Sequence, residues 1–471
     1  MTTEQITIPV DRRERAEGLG ILGGAVLLAG GLLGNFVFGA SAIVLPAIEK
    51  DLRIGTAVGS LFVALFSLGF AVALVFGGRL GDRYGRRRIF IIGLAAFALS
   101  SIAVALAPAV LVLLVARILQ GIMVGLLFPQ VLATIQHHST GAARARWLAA
   151  YAAVIGGGTT LGQILGGALV SVDWGGTGWR QVFVLVALLC AVVAGLCGAV
   201  PKTRSEHPVG TDVPGALLFG AGIAAVLLPL ALGPQSGWPW WSYAAIAAAV
   251  LLLAAFAVLQ RRGDPARVLM PPAALREPEL VLGLTLAVLF FAGYGAFVYY
   301  FSVSFEEGLG MSAFSVALSL APFAIGFIAA SLVVPRIAGR FGPVRTMLAG
   351  AIAQAVLLGL IALLVFALWP HPWQWMLQPA LILMGVAQAF MYGPLIGTVM
   401  GAMPRHLAGL ASGLFATAQQ VAIALGVAAF GALYGAFALH GPAGFVCCAV
   451  LQAAVALVFA AVLPRLRKVA R

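Results

Sequence analysis

The sequence predicts an all-α polytopic membrane protein with fourteen transmembrane helices. Three observations carry that prediction. Of the 471 residues 62% are hydrophobic and only 9% are charged, and mean hydropathy is +1.07, far outside the range of soluble domains. Apolar runs long enough to cross about 30 Å of hydrocarbon, which takes about 20 helical residues, follow one another with short breaks. The basic residues gather in alternate breaks, the distribution that keeps positive loops on one side of a bilayer.

In chain order, a polar segment with Arg12, Arg13 and Arg15 precedes the first run, which is too long for the core of a cleaved signal peptide. The spans are expected at 19–47, 56–80, 87–107, 110–131, 147–171, 181–201, 213–234, 242–260, 281–304, 312–334, 347–368, 375–400, 409–435 and 444–464. An even number puts both ends on one face. With the first tail inside, every Lys and Arg except Lys50, Arg53, Arg180 and Arg117 falls in a cytoplasmic segment, so both termini are expected there. Trp238, Trp240 and Trp241 lie where an interfacial aromatic belt is expected.

The division that follows is a cytoplasmic tail (1–18), a six-helix bundle (19–201), two extra helices with cytoplasmic connectors (202–280), a second six-helix bundle (281–464) and a cytoplasmic tail (465–471). An ungapped internal repeat supports it. Residues 60–88 align on 317–345, so that Phe66, Gly69, Phe70, Arg79, Arg83, Gly85 and Arg88 match Phe323, Gly326, Phe327, Arg336, Arg340, Gly342 and Arg345. Two parallel repeats imply a substrate site between them near mid-membrane. Gly339 stands where the first copy has Asp82.

Several function classes are disfavoured. A net charge of +13 would suit nucleic acid, but the basic residues sit at helix ends rather than on one soluble face. Cys190, Cys197, Cys447 and Cys448 lie in apolar runs and read as core residues, neither disulfides nor metal ligands. No phosphate-binding loop is present, which argues against direct ATP drive. No cluster of acids, histidines or cysteines suggests an enzyme, a metal site or a cofactor.

The densest charge in the chain is Gly78-Arg79-Leu80-Gly81-Asp82-Arg83-Tyr84-Gly85-Arg86-Arg87-Arg88, between spans two and three. So short a turn forces the two helices antiparallel, and it puts Asp82 at a helix end, where an arginine or a neighbouring helix N-terminus can meet it. The stretch resembles the signature loop G-x-L-x-D-R-x-G-R-R of the major facilitator superfamily of transporters. Arg117, Gln120 and Gly121 resemble that superfamily's fourth-helix R-x-x-Q-G motif, and Gly158, Gly162, Gly166 and Gly167 its antiporter motif, with Gln163 in the proline's place. Ala411-Ser412-Gly413-Leu414, Leu45-Pro46 and Gly178-Trp179-Arg180 extend the likeness, over essentially the whole chain, to the fourteen-helix drug:proton antiporters.

That resemblance implies a secondary active transporter of the bacterial plasma membrane. It would export drugs, antibiotics or lipophilic metabolites by proton antiport with alternating access, and a monomer would suffice. Its implied partners are an amphipathic small molecule, protons and the lipid bilayer. Asp82, Arg83, Gly85 and Arg86 would form a conformational lock. Arg117, the one charge inside a span, should face a cavity or a partner, since an isolated one costs about 2.5–3.5 kcal/mol on insertion scales. It is read either as a proton-coupling residue or as a structural arginine bonded to carbonyls.

An antiporter needs a group that titrates. Many relatives of this kind carry a first-helix acid nine residues before the proline; Val37 stands there instead. The remaining candidates are Asp82, Glu306 and Glu307, with Glu49 and Asp51 also at a helix end; a solvated loop is the competing reading of the Glu306–Glu307 pair. Asn35, Gln120, Gln163, Tyr294, Gln388, Tyr392 and Gln420 are candidate cavity residues, though residues of these types in spans are more often helix-packing or interhelical hydrogen-bonding groups. The four motif glycines are expected to let a neighbouring helix approach closely. A narrow-specificity facilitator or symporter of the same fold is the alternative, and a transport-inactive sensor or scaffold a second one.

Overall fold

The computed structural model describes residues 19–54, 56–172, 178–202, 212–233, 237–263, 268, 277–370, 374–401, 408–436 and 442–469. The tail 1–18 and most of the two connectors flanking the extra helices lie outside them. Fourteen α-helices make up the described chain: α1 (Ile21–Leu52), α2 (Thr56–Tyr84), α3 (Arg86–Ala105), α4 (Val110–His138), α5 (Gly141–Val172), α6 (Gly178–Leu196), α7 (Val213–Leu232), α8 (Trp240–Arg262), α9 (Pro278–Leu309), α10 (Ala313–Phe341), α11 (Pro343–Leu368), α12 (Gln374–Gly401), α13 (Ala408–Ala436) and α14 (Pro442–Val469).

Twelve of these are long and apolar enough to cross a membrane. α2 is bent by 47° between Leu61–Leu74 and Phe76–Tyr84, and counts as a thirteenth if taken as one span. α7 contributes only the shorter apolar stretch Pro214–Leu230. Among the described residues, length and composition thus mark twelve or thirteen spans, which does not confirm the fourteen expected. The last helix runs on through Val469, past the end of its apolar span at Arg465.

The internal repeat has a physical basis. Gly85 and Gly342, matched in the two copies, adopt φ of 98° and 88°, and each is the single residue that breaks one helix from the next. A side chain is strained at such angles. At the α2–α4 crossing, a Cβ on Gly121 would stand 2.0 Å from the Phe66 carbonyl oxygen, and one on Gly69 2.3 Å from that of Ile118. At the α10–α12 crossing, Gly385 meets the Phe323 carbonyl at 2.0 Å and Gly326 that of Ile382 at 2.1 Å. The aligned Phe–Gly pairs are thus the points where two backbones touch.

Packing follows the same period of eight helices. In the first half α1 packs on α5, α2 on α4, and α3 on α4 and α6. In the second α9 packs on α13, α10 on α12, and α11 on α12 and α14. Two seams join the halves, α5 with α10 and α2 with α13. α7 lies across the second seam, touching both α2 and α13, and α8 packs on α7.

One face of the bundle carries the α2–α3 turn and the ends of α4 and α12, and is called here the basic face. A single buried core fills the first half and continues into the basic-face part of the second, through Phe291, Phe327, Tyr392 and Phe415. The part of the second half toward the opposite face has a core of its own, built on Phe297, Phe301, Met384 and Phe445. The halves therefore share one core at the basic face and have separate cores toward the other.

Candidate functional site

The one-residue turn at Gly85 sets Asp82, in the last turn of α2, four residues before Arg86, the first residue of α3. Arg86 donates to Asp82 Oδ1 from Nη2 at 2.9 Å and from Nε at 3.3 Å, and from Nη1 to the Ala133 carbonyl of α4 at 3.0 Å. Both side chains are buried. Gln130 of α4 adds a bond from Nε2 to the Gly77 carbonyl at 2.7 Å. Three helices are thereby tied together around one ion pair, whose charge-assisted bonds are stronger than neutral ones. The Arg83 guanidinium lies over the Tyr84 ring, 5.4 Å from its centre, and Arg79 donates to the Val268 carbonyl of the connector after α8 at 3.1 Å.

Beside this cluster the halves are stitched directly. Gln136 at the end of α4 donates to the Met400 carbonyl at the end of α12, and Ser412 of α13 to the Pro129 carbonyl of α4 at 3.4 Å.

Arg117 is fully buried, and it points into the first half rather than toward a cavity. It donates to the Phe62 carbonyl at 3.1 Å, to Gln120 Oε1 at 2.6 Å and to Ser41 Oγ at 2.6 Å. Its guanidinium stacks 4.1 Å from the centre of the Phe62 ring and 4.6 Å from that of Phe66. Gln120 in turn donates to Ser101 Oγ at 2.8 Å. Of the two sequence readings, the geometry matches the arginine bonded to carbonyls. Gln120 belongs to the same internal network and makes the interhelical hydrogen bond that is the other reading of this residue.

The other expected cavity residues separate. Asn35 is half-buried and returns its amide to the Gly31 carbonyl of its own helix, at 3.1 Å. Gln163 is half-buried on α5. Gln420 lines a cavity of about 310 Å³ between α2 and α13. Tyr294 stacks on Phe323, with ring centres 6.4 Å apart.

Gln388 and Tyr392 lie one turn apart on α12, and Tyr392 is at the junction of the halves. Tyr392 is ringed by Phe290, Phe291, Phe327 and Phe415 at 5.4–6.4 Å. It shares a core with Tyr151 of α5. The Tyr392 hydroxyl and Gln388 Nε2 are buried without a hydrogen-bond partner. Leaving such a group unpaired costs about 1–3 kcal/mol, so a ligand oxygen that accepts from them has a ready advantage.

The expected glycine face of α5 seats α1. A Cβ on Gly158 would meet Asn35, one on Gly162 the Phe36 carbonyl at 2.0 Å and one on Gly166 Ala40, while Gly167 is buried beside them. Sequence reasoning missed their neighbours Gly156 and Gly157, which receive Phe327 and Ile328 of α10 across the first seam. The run of three glycines, which leaves two helix faces bare, was the available signal.

The acids stay at helix ends. Asp51 accepts from Arg180 at 3.0 Å and from Trp179 Nε1 at 3.0 Å. Glu306 is half-buried in the last turn of α9, and the Glu307 side chain lies outside the described residues.

The Major Facilitator Superfamily model matches residues 26–217 and 213–427. The chain belongs to the major facilitator superfamily. Within it, the chain is 31% identical over 433 residues, 90% of its own length and 73% of the relative's, to the probable actinorhodin transporter of Streptomyces coelicolor. It is 29% identical to the tetracenomycin C resistance and export protein of Streptomyces glaucescens, covering 83% and 72% of the two chains. It is 30% identical to the multidrug resistance protein Stp of Mycobacterium tuberculosis, covering 87% and 76%. Solved superfamily structures share the fold: the proton:xylose symporter XylE, at 17% identity and TM-score 0.66 over 93% and 94% of the chains, and the human organic anion transporter MFSD10, at 18% and 0.66 over 94% and 99%. The chain is accordingly a multi-pass membrane transporter of the superfamily's drug-export kind.

Proposed function

We propose that this transporter exports uncharged or amphipathic aromatic compounds, antibiotics and related metabolites among them, from the bacterial cytoplasm by proton antiport. The observation that carries the reading is the unpartnered Tyr392 hydroxyl, ringed by aromatics where the halves close on each other, with the unpartnered Gln388 amide one turn away. A planar solute with carbonyl or hydroxyl oxygens satisfies both donors and stacks on the rings. A relative named as a tetracenomycin C resistance and export protein supports the direction of transport.

In this reading the basic face is cytoplasmic, as the arginine bias supports, and both termini lie there with fourteen crossings. The halves 19–201 and 281–464 rock about the central site as one monomer, and 202–280 supplies the extra pair. Closure at the basic face, with separate cores opposite, is the arrangement of a carrier that has shut its cytoplasmic side. The lock is the Asp82–Arg86 pair with Arg83 and Gly85, whose bonds to α4 hold that helix end against α12 and α13. Asp82, Glu306 and Glu307 are the proton carriers proposed, while Arg117 sets the shape of the half around them. Tyr294 and Gln163 extend the central site.

The test is efflux of ethidium and Hoechst dye from energised cells, with and without a protonophore. Export that collapses with the gradient is expected. Dye retention by protein shown to be in the membrane would overturn export of this class. One observation favours a second reading, a narrow-specificity facilitator or symporter: among the described residues every acid sits in a terminal turn or loop, none at mid-span. Export indifferent to the protonophore would establish it.

A further inference from the structure

The two seams between the halves are built differently. α5 meets α10 directly, with Phe327 seated on Gly156. The seam between α2 and α13 is covered by α7. Ile223 and Leu227 of α7 are buried against Ala71, Val421 and Ala424, and Gly220 rests on Val72. Beneath α7, toward the face opposite the basic one, a cavity of about 310 Å³ remains.

Four helices wall this cavity: α1 with Phe38, α2 with Ser67, α7 with Leu227, and α13 with Gln420, Ala424 and Val427. It spans from α1, inside the first half, to α7, which belongs to neither. None of its lining residues is charged. Ser67 turns its hydroxyl back to the Val63 carbonyl at 3.4 Å, which leaves the Gln420 amide as the polar group presented to the space. The size is at the lower end for small-molecule sites, about 300–1,000 Å³. A lipid chain gains nothing from an amide. An apolar molecule with one carbonyl or hydroxyl oxygen fills the walls and pairs with the half-buried amide.

We propose that this cavity is a lateral ligand site, distinct from the Tyr392 site and walled by α7, that holds an uncharged lipophilic molecule bearing one hydrogen-bonding oxygen. Displacing α7 opens the site sideways to the bilayer, so that an apolar passenger exchanges with the membrane without crossing water. The identity of the passenger as cargo rests on the exporter reading; the site itself does not.

The experiment is a fluorescence titration of the purified full chain, in lipid nanodiscs, with Nile Red, an uncharged dye carrying a ring carbonyl. Ala424→Trp fills the cavity and is expected to weaken binding by about tenfold or more. Gln420→Leu keeps the shape and removes the amide, for a loss of about threefold to tenfold. Leu363→Phe, on the exposed face of α11, leaves the affinity within about twofold. Dye affinity unchanged in Ala424→Trp overturns the site, and unchanged or tighter binding in Gln420→Leu overturns the polar contact in favour of a lipid chain. Should Ala424→Trp not assemble, Val427→Phe fills the same space, and unchanged affinity there overturns the site equally. No gradient is present in the titration. A wild-type chain that binds the dye here but shows no efflux from cells therefore overturns the exporter reading while leaving the lateral site in place.

Discussion

The crossing of α2 with α4 and the crossing of α10 with α12 are the same joint built from different chemistry. Both pivot on a glycine pressed to a phenylalanine carbonyl, Gly121 on Phe66 and Gly385 on Phe323. One turn before the glycine, the first joint places Arg117 and the second Leu381; Gln120 corresponds to Met384. Arg117 and Gln120 make a hydrogen-bonded hub reaching α1, α2 and α3. Leu381 and Met384 are buried among Phe297, Phe301 and Phe323. The backbone approach is thus the shared requirement, and what fills the space beside it is free to diverge. A buried cation obliges its neighbours to supply oxygens in fixed directions, whereas an apolar filling asks only for volume.

The comparison breaks most completely at the glycines. Gly121→Val and Gly385→Val each drive a side chain into a backbone carbonyl, and neither protein should be recovered folded from the membrane by size-exclusion chromatography. Equal damage in the two halves supports the shared joint; a monodisperse, fully stable variant of either would disprove it.

Arg117→Ala comes next. It strands the oxygens of Phe62 and Gln120 and opens a cavity, at about 3–5 kcal/mol, read as a lower melting temperature in detergent. The double change Arg117→Leu with Gln120→Met copies the second joint and should restore much of that loss. If its proton-coupled efflux also returns, Arg117 is scaffold alone; if stability returns without coupling, the arginine takes part in the proton step.

Asp82→Asn tests the lock against its counterpart. It removes the charge facing a buried arginine, and is expected to cut dye efflux by at least about tenfold with about 1–3 kcal/mol of stability lost. Gly339→Ala, at the matching position of the second half, should leave efflux unchanged. Normal efflux by Asp82→Asn at equal expression would sink the lock. The smallest effect expected is from Tyr300→Phe, which removes the bond to Gln452 Oε1 at 2.6 Å and should cost about 1 kcal/mol. A larger loss than from Arg117→Ala would invert the contrast between the halves.

Much of this was legible in the residues. Twelve of the span positions follow from apolar length alone, and the repeat could be read because a positive-φ glycine and a glycine at a backbone contact admit no substitute, so Gly85 with Gly342 and Gly69 with Gly326 persist in both copies. Chain order predicts that Asp82 and Arg86 stand one turn apart. Direction was harder. That Arg117 must have partners follows from its cost, but whether they lie in a cavity or inside one half depends on how α4 is rotated against α1 and α2, and Ser41 and the Phe62 carbonyl leave no mark in sequence. The same rotation took Gln120 inward, and that of α12 left Tyr392 at the junction. The placement of α7 across only one seam was likewise invisible, because a short apolar helix has no periodic signal for which neighbours it meets.

Arg117 also has an electrical consequence. Its partners among the described residues are a carbonyl, an amide and a hydroxyl, with no carboxylate to cancel its charge. A full positive charge therefore rides inside the first half at membrane depth. One elementary charge moved through the whole of a 100 mV potential is worth about 2.3 kcal/mol. If that half tilts so that the guanidinium crosses a tenth of the field, the membrane voltage biases the step by about 0.2 kcal/mol. The resting population of the two orientations would then depend on voltage as well as on pH, and a reconstituted carrier held at different potassium diffusion potentials would turn over at different rates even at a fixed proton gradient.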